Sequence, residues 1–270
     1  MEDEALDVTK SSQAQQSSSS RESSQAGNNT FLLRSRPINY TSNNNNMPLE
    51  DSDRNKSIMA RIEFAVNLIN QMLIGFAAIY MSWMCIKFDL KKTALHAWLV
   101  TIGFNFLMAE GVMTHYNGNI LLFNYSRKSK TTIHWVLQAL GGSLGIAGGI
   151  VKICQKETHF TTIHGKVGLA ALIICGISML SGLSALYSQN LKRLLQPLLN
   201  KTVHNFLGLC GFVLAMVAQY YGYETGFFKF QTEAGFRIMM QVITILTICC
   251  CCWGPLKALW VKCKIIKENF

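Results

Sequence analysis

The sequence predicts an all-α membrane protein with six transmembrane helices. Half of the 270 residues are hydrophobic, and they are concentrated in six long apolar segments separated by short polar loops. A membrane-spanning helix needs about 20 predominantly apolar residues, and each segment supplies about that many. Because short loops join antiparallel neighbours, successive helices alternate in direction. The predicted spans are residues 62–86, 95–113, 133–151, 167–187, 203–221 and 238–260.

The N-terminal segment, residues 1–57, differs from the rest of the chain in composition. It contains the runs SSQAQQSSSSRESSQAGNN and NNNN. Such a segment cannot bury enough apolar surface to offset the entropy that is lost on ordering. It also lacks the early apolar stretch of a cleaved signal peptide. The sequence therefore predicts a disordered cytosolic tail over residues 1–57 and one six-helix membrane domain over residues 58–270.

The positive charge of the chain is attributed to loops that flank membrane helices. The formal net charge is +10, which loops of this kind explain without nucleic acid, so a lipid bilayer is the expected partner. We define side A as the end that holds both termini and the loops after the second and fourth spans, and side B as the opposite end. From residue 54 onward, side A carries thirteen lysines and arginines against eight on side B. This excess predicts that side A, with both termini, is cytosolic.

The nine cysteines show no paired spacing. Most lie inside apolar segments, where cysteine behaves as a small hydrophobic residue. The run Cys249–Cys252 lies in the sixth span, deeper than is typical of palmitoylated cysteines. We therefore expect no disulfide framework.

Four of the six histidines lie about one turn inside the start of spans two to five, at His96, His134, His164 and His204. A polar side chain inside a membrane span is costly and is a candidate functional residue by default. Because the helices alternate in direction, His96 and His164 are placed near side B, and His134 and His204 near side A. The sequence therefore predicts two histidine pairs, one in each leaflet.

Small residues share the helix faces of these histidines, most clearly in spans three to five. Residues at offsets of three, four and seven lie on one face, and the face of His134 continues through Gly141 and Gly145. One explanation is close packing of helices, with each histidine making an isolated hydrogen bond. The interpretation that explains glycine and histidine together is a flat macrocycle held edge-on, with two imidazoles on its iron and the missing side chains leaving a slot.

These considerations favour two b-type haems inside a central four-helix bundle of spans two to five. A zinc site would need about four clustered ligands, and copper sites usually add cysteine or methionine at defined distances. The absence of a C-x-x-C-H motif excludes covalent c-type attachment. Two histidine ligands leave no open position on the iron, so the expected role is electron transfer.

Four segments then carry a specific resemblance: NFLMAEGVM in span two, SRKSKTTIHWVLQ leading into span three, HFTTIHGKVGLAAL leading into span four, and TVHNFLG opening span five. They resemble the cytochrome b561 family, and the resemblance extends over residues 62–270. It implies six helices with two b haems, and the four histidines match the ligand positions of the family. It also implies ascorbate as the cytosolic electron donor, monodehydroascorbate or ferric iron as the acceptor opposite, and a home in internal membranes such as the endoplasmic reticulum or vesicles.

Three further residues are candidate substrate-binding residues. Lys128 lies six residues before His134, where the family has a lysine at its cytosolic ascorbate site, and Lys130 is close by. A basic residue common two positions before this histidine is replaced by Thr132. His159, on side B, has a side chain suited to relaying a proton or holding the acceptor. Ordinary topology-setting charge and a solvated loop histidine remain the alternatives. Roles for His115 and Glu110 stay open.

The leading function is therefore an oxidoreductase that moves electrons from cytosolic ascorbate through two haems to an acceptor on side B. The alternatives are a transporter whose membrane histidines conduct protons or ions, and a scaffold protein without redox activity. A homodimer is a further expectation.

Overall fold

Every regular element of the computed structural model is a helix within the residues that it describes, which are 47–116, 119, 121–122 and 124–269. The predicted disorder of residues 1–46 lies outside this part of the chain. The α-helices are α1 (Met47–Lys87), α2 (Thr93–Val100), α3 (Ala109–Met113), α4 (Arg127–Cys154), α5 (Ile163–Leu186), α6 (Pro197–Gly222), α7 (Gly226–Lys229) and α8 (Ala234–Asn269). A π-helical segment, Thr101–Met108, joins α2 to α3. We call the continuous stretch Thr93–Met113 the second span.

Six helices in the described chain are long and apolar enough to cross a membrane, which confirms the predicted number. Most of these helices are longer than the predicted apolar segments, because they begin at polar residues that precede those segments. Ser126 and Thr162 accept hydrogen bonds from backbone amides three residues later and cap α4 and α5. Pro197 begins α6, where its missing amide hydrogen costs nothing. Helix α1 begins at Met47, within the segment predicted as tail.

The second span, α4, α5 and α6 form the central four-helix bundle that the sequence predicts. The second span packs on α4, α4 on α5, and α5 on α6, while α6 returns to the π-helical segment. Helices α1 and α8 pack on each other and lie outside this bundle, against the second span and α6. The four histidine-bearing helices are therefore direct neighbours.

Glycines let the second span and α4 approach to backbone contact. A Cβ atom added at Gly103 would lie 2.6 Å from the Gly141 carbonyl oxygen and 2.6 Å from the Gly145 nitrogen. One added at Gly145 would overlap the Phe104 ring. The expectation that Gly141 and Gly145 leave a slot for a macrocycle is therefore wrong. These glycines serve close packing, because their missing side chains are replaced by the neighbouring helix.

An aromatic cluster joins α1 and α8 to the short helix α7 at side B. Phe228 of α7 is buried and packs at 4.8 Å between ring centres against Tyr223, while Phe236 of α8 lies 4.5 Å from Tyr80 of α1. Towards side A, Cys251 and Cys252 of α8 are buried, whereas Cys250 is partly buried and Cys249 is exposed. The interpretation of the cysteine run as apolar filler is therefore supported for Cys251 and Cys252.

We predict that Gly103→Ala lowers the stability of the bundle, whereas the same change at Gly75 does not. The new methyl group at Gly103 would meet backbone atoms that cannot move aside, and overpacking of this kind typically costs about 1–3 kcal/mol. No heavy atom lies within 4 Å of a Cβ added at Gly75 in α1, so Gly75→Ala is the matched control. Thermal unfolding of the purified protein in detergent measures both. Equal unfolding temperatures for the two variants would contradict the packing described here.

Candidate functional site

The four membrane histidines form two pairs, and each pair joins two helices that run in the same direction. The ring centres of His96 and His164 are 6.1 Å apart, and those of His134 and His204 are 6.3 Å apart. In both pairs the ring planes are nearly perpendicular, at 78° and 82°. The structure thus brings together the residues that the sequence paired by leaflet.

These separations suit two axial ligands of one metal ion. An imidazole nitrogen lies about 2.0–2.1 Å from a bound metal and about 1.2 Å from its own ring centre, so two axial imidazoles have centres about 6.4 Å apart. The observed distances of 6.1 and 6.3 Å are close to this value. No group of three or more His, Cys, Asp or Glu side chains is placed to hold a metal ion in the described chain. The donor set therefore fits a haem with two imidazoles better than a protein-only metal site.

Hydrogen bonds fix the tautomer of three of these histidines. The Nδ1 atom of His96 donates to the Gly148 carbonyl (2.8 Å), that of His134 to the Gly111 carbonyl (2.7 Å), and that of His164 to the Ala218 carbonyl (2.8 Å). A carbonyl oxygen only accepts, so Nδ1 carries the hydrogen in each neutral ring. The lone pair is then on Nε2, the nitrogen that is left for a metal.

These bonds follow one rule of spacing. Gly148 follows His134 in α4 by about four helical turns, and Ala218 follows His204 in α6 by the same number of positions. About four turns of α-helix rise about 21 Å and return to the same face of the helix. The histidine and the accepting carbonyl of one helix therefore lie on the same face, near its two ends. Two antiparallel helices matched in this way can each hold the histidine of the other.

In the second span the histidine and the accepting carbonyl also share one helix face, but one extra residue lies between them. Gly111 follows His96 by one position more than this interval, and the π-helical segment lies between them. A π-helix makes bonds from residue i to i+5 and takes more residues per turn than an α-helix. The π-helical segment therefore absorbs the extra residue and returns Gly111 to the face on which His134 can reach it.

His204 departs from the pattern of the other three. The rule assigns it the carbonyl of Ser178, which follows His164 by the same interval and lies beside the His204 ring. The Ser181 hydroxyl also donates to that carbonyl (2.8 Å), as the Thr114 hydroxyl does to the Gly111 carbonyl (2.8 Å). Because its hydrogen is committed there, the Ser181 oxygen accepts from His204 Nδ1 at 3.2 Å. The fourth histidine thus has the same tautomer, and the Ser181 hydroxyl is a partner of its ring beside the Ser178 carbonyl.

Two glycines lie directly beside histidine rings, on the opposite member of the helix pair. A Cβ atom added at Gly182 of α5 would lie 3.1 Å from His204, and one at Gly222 of α6 would lie 3.3 Å from His164. Each glycine follows the histidine of its own helix by about five helical turns. A Cβ added at Gly168, one turn after His164, would meet no atom within 4 Å. Glycine therefore does leave room near the histidines, at positions other than Gly141 and Gly145.

A cavity of about 880 Å³ opens around His96 and His164 at side B. This is within the range of about 300–1,000 Å³ that is typical of ligand pockets. Gly168 lies in its wall, and Lys152, Lys156 and His159 line it towards the aqueous end. The cavity is large enough and open enough to hold a flat prosthetic group with a polar edge.

The charges at the mouth of this cavity are mainly positive. Glu224 also lines it, but the carboxylate lies 3.6 Å from Arg237 and accepts a hydrogen bond from Gln241. The ammonium group of Lys152 donates to the Thr93 hydroxyl. Lys156 is exposed, so its charge remains available to a ligand in water.

The loop between α4 and α5 shapes the mouth of the cavity. Phe160 has a positive φ of 54°, which is unfavourable for a residue other than glycine and is often found at functional sites. The ring of the neighbouring His159 is exposed and hydrogen-bonded to the Ile153 carbonyl at 2.9 Å. The predicted site residue His159 thus shares the cavity with the side B histidine pair.

At side A the histidine pair is approached by three cations and a fifth histidine. The ring of His115 lies 5.5 Å from that of His134. Burial, followed by neighbouring His134 and the positive charges of Arg127, Lys130 and Lys262, lowers the pKa of His115 to about 4. Lys130 is partly buried in the first turn of α4, whereas Lys128 is exposed there. Of the two predicted lysines, Lys130 therefore lies within electrostatic range of this group of histidines.

Glu110 belongs to the contact between the second span and the outer helices. Its carboxyl group lies beside the Gln71 amide of α1 and near Cys251 of α8. This location favours the interpretation of Glu110 as a polar contact between neighbouring helices.

Sequence reasoning missed several of these residues for a physical reason. Lys262 lies in α8, far along the chain from the histidines that it approaches. In the sequence, Lys152 and Lys156 are indistinguishable from charges that merely flank a helix. Ser181 lies three residues after Ser178, a spacing typical of hydroxyl bonds to the preceding turn, but only packing places His204 beside it.

Comparison with known proteins shows the family. Residues 95–229 match the model of eukaryotic cytochrome b561. The chain is 32% identical over 157 residues to transmembrane reductase CYB561D2 of Mus musculus, which covers 56% of this chain and 70% of that protein. It is 32% identical over 161 residues to the Bos taurus protein of the same name (57% and 72%), and 35% identical over 124 residues to that of Homo sapiens (44% and 55%).

No solved structure matches the chain. The family model covers the four helices that carry the paired histidines, and the relatives are named as transmembrane reductases. The chain therefore belongs to the cytochrome b561 family, whose members typically bind haem b and transfer electrons across membranes.

Proposed function

We propose that this oxidoreductase carries electrons from cytosolic ascorbate at side A through two b haems to an acceptor at side B, in an internal membrane. His134 and His204 hold the haem of side A, and His96 and His164 that of side B. The arrangement of each pair supports the proposal. The ring centres are 6.1 Å apart in the side B pair and 6.3 Å apart in the side A pair, and the Nδ1 atoms act as hydrogen-bond donors.

The residues of the chain hold, orient and enclose the redox group. A bound haem supplies an iron that cycles between the ferric and ferrous states. The backbone carbonyls that accept from Nδ1 hold each ring in place and make its Nε2 a better donor. Two imidazoles on one iron would leave no position open for oxygen, so the residues of each pair suit electron transfer. The side A and side B histidine pairs are about 21 Å apart along the helix axes, because about four helical turns separate each histidine from the carbonyl on its own helix.

We place the donor at the cations of side A. Ascorbate is an anion near neutral pH, so Lys128, Lys130 and Lys262 would attract it electrostatically. Lys130 and Lys262 are the better placed, since their charges reach His115, which contacts His134.

We infer that the acceptor at side B is an anion. Lys156 and His159 line the cavity mouth, while the Glu224 carboxylate is engaged by Arg237. A mouth of this charge would attract monodehydroascorbate or a ferric ion carried in an anionic chelate and would repel free ferric iron.

The first prediction about function is that the four histidines act as two separate pairs. His96→Ala and His164→Ala should each lose the haem of side B and keep that of side A, and His134→Ala and His204→Ala should do the reverse. Haem content and reduced-minus-oxidised spectra of the purified variants measure this. His159→Ala is the control and should keep both haems, because this exposed histidine lies outside the pairs.

Two outcomes would contradict this assignment. A colourless wild-type protein would favour a transporter or scaffold over a redox protein. Loss of the same haem in His96→Ala and His134→Ala would show that the pairs are not independent.

A second prediction concerns the donor. Lys130→Gln and Lys262→Gln should slow reduction by ascorbate by up to about tenfold at low salt, because positive charges raise the rate of encounter with an anion. The loss should shrink as salt rises, since the attraction acts on ascorbate while it approaches through water, where charges are screened over about 8–10 Å at physiological ionic strength. Stopped-flow absorbance at several salt concentrations measures these rates. Lys128→Gln should have a smaller effect on this rate. Equal effects of all three changes would indicate that these lysines only set the membrane topology and do not form a donor site.

A third prediction concerns the acceptor. In the reduced protein, Lys156→Gln should slow oxidation by an anionic ferric chelate several-fold at low salt and leave oxidation by an uncharged acceptor unchanged. Lys166→Gln is the matched control, because Lys166 is an exposed lysine at the same end, in the first turn of α5, that does not line the cavity. Equal effects of the two changes would contradict a specific anion site at the mouth.

A further inference from the structure

A group of polar side chains lies inside the membrane between the second span and the outer helices α1 and α8, which contact one another. We call this group the polar seam. It consists of Asn67, Asn70 and Gln71 of α1, Asn105 and Glu110 of the second span, and Thr247 of α8. None of them belongs to a histidine pair or lines the cavity of side B. Polar and ionisable side chains inside a span are costly, and they are candidate functional residues by default.

Three polar atoms of the seam have no hydrogen-bond partner among the described residues. They are Oδ1 of Asn70, Nδ2 of Asn105 and Oγ1 of Thr247. Each of these side chains is at most 1% exposed, and the surrounding lipid offers no hydrogen bonds. Since the three atoms are an acceptor, a donor and a hydroxyl group, water satisfies all of them, because it both donates and accepts. A metal cation would leave the Asn105 amide hydrogens without a partner.

The carboxyl group of Glu110 lies within this set of atoms. It is near Cys251 of α8, whose sulfur accepts a hydrogen bond from the Asn70 amide at 3.4 Å. Thr247 precedes Cys251 by about one helical turn, and Asn105 precedes Glu110 by about one turn of the π-helical segment. None of the ion pairs between described residues includes Glu110. The carboxyl group therefore has polar neighbours but no cation to hold it charged.

The seam is connected to the water of side A along one face of α1. Glu63, Asn67 and Gln71 follow one another at intervals of four residues and so share that face. Glu63 is partly exposed and pairs with Lys257 of α8 at 3.7 Å. Gln71 lies beside the Glu110 carboxyl group at the inner end. A proton that enters from side A therefore meets a polar group at each helical turn on the way to Glu110.

Glu110 lies at the level of the side A histidine pair. It directly precedes Gly111, whose carbonyl accepts from His134 Nδ1 at 2.7 Å. The carboxyl group and the histidine are thus on different sides of one helix, which is about 10–12 Å in diameter. A haem with two neutral imidazoles carries one positive charge at its ferric centre and none at its ferrous centre. The positive charge favours the carboxylate form of a nearby acid, and its loss favours the protonated form.

We propose that Glu110 takes up one proton from side A, through the polar seam, when the haem held by His134 and His204 accepts an electron. The iron changes from ferric to ferrous with one electron from the donor, and the carboxylate becomes a carboxylic acid with one proton from the water of side A. When the electron passes on to the side B haem, the proton returns to side A. This inference rests on the proposed function, because it needs a haem at side A.

Several titratable groups lie on the elements around Glu110, so the test is made specific to this residue. They are Glu63 of α1, Cys251 and Lys257 of α8, His134 of α4, and His115 and Tyr116, which follow Glu110 in the chain. Glu110→Gln removes only one of these proton sites and nearly preserves the shape of the side chain.

Spectroelectrochemical titration of the purified full chain at several pH values measures both haem potentials. In the wild type the side A potential should fall as pH rises, by up to about 59 mV per pH unit, because reduction takes a proton from solution. This slope should be lost in Glu110→Gln, and the side B slope should not change. Glu268→Gln is the matched control and should keep the wild-type slope, because it removes an exposed carboxylate of side A that pairs with Lys264.

Reduced-minus-oxidised infrared spectra follow the carboxyl group itself. A protonated carboxylic acid has a C=O stretching band that a carboxylate lacks. The band should appear on reduction in the wild type and be absent in Glu110→Gln. If that variant does not fold, wild-type protein labelled with carbon-13 at the glutamate carboxyl groups should show the band at a lower frequency.

The outcomes distinguish this inference from the function on which it rests. A wild-type protein that binds no haem contradicts the proposed function. A wild-type protein with two haems whose side A slope is the same in Glu110→Gln contradicts only the role of Glu110. A wild-type infrared difference spectrum without the carboxylic acid band also overturns that role, because Glu110 would then have the same protonation in both redox states.

Discussion

The hydrogen bond from a histidine Nδ1 to the backbone of the neighbouring antiparallel helix is the interaction on which the site depends. It fixes the tautomer, leaves the Nε2 lone pair available to a metal, and joins the two helices at a defined axial register. A backbone carbonyl inside an α-helix already accepts from its own helix, so it can receive a second hydrogen only where another helix comes very close. The glycines between the second span and α4 provide that closeness.

The π-helical segment follows from the same constraint. His96 and Gly111 are separated by one residue more than the corresponding positions in α4, and both ends of the second span must still face α4. An uninterrupted α-helix would turn Gly111 about 100° away from His134, since each residue advances the helix by that angle. The wider turns of the π-helical segment correct this mismatch, and its less favourable geometry is compensated by tight packing around Phe104 and Met108.

The two ends of the bundle share this framework but differ in what surrounds the histidines. At side B the loop after α4 and the short helix α7 enclose a cavity whose mouth is cationic. At side A a fifth histidine contacts the pair, cations from α4 and α8 lie within electrostatic range, and a serine hydroxyl is one hydrogen-bond partner. The two ends of the proposed electron path therefore differ chemically, which allows each end to bind a different redox partner.

The six spans, the central bundle and the division of the histidines between two leaflets could all be predicted from the sequence, because apolar length and helix direction are local properties of the chain. The sequence also indicated that glycine matters beside these histidines, but it assigned the space to Gly141 and Gly145. The packed helices show instead that those glycines contact the second span and that Gly182 and Gly222 lie beside the rings of the opposite helices. The approach of Lys262 to His204 and the hydrogen bond between His204 and Ser181 likewise arise from packing. Such contacts depend on the rotation and axial register of one helix against another, which the pattern within a single helix does not contain.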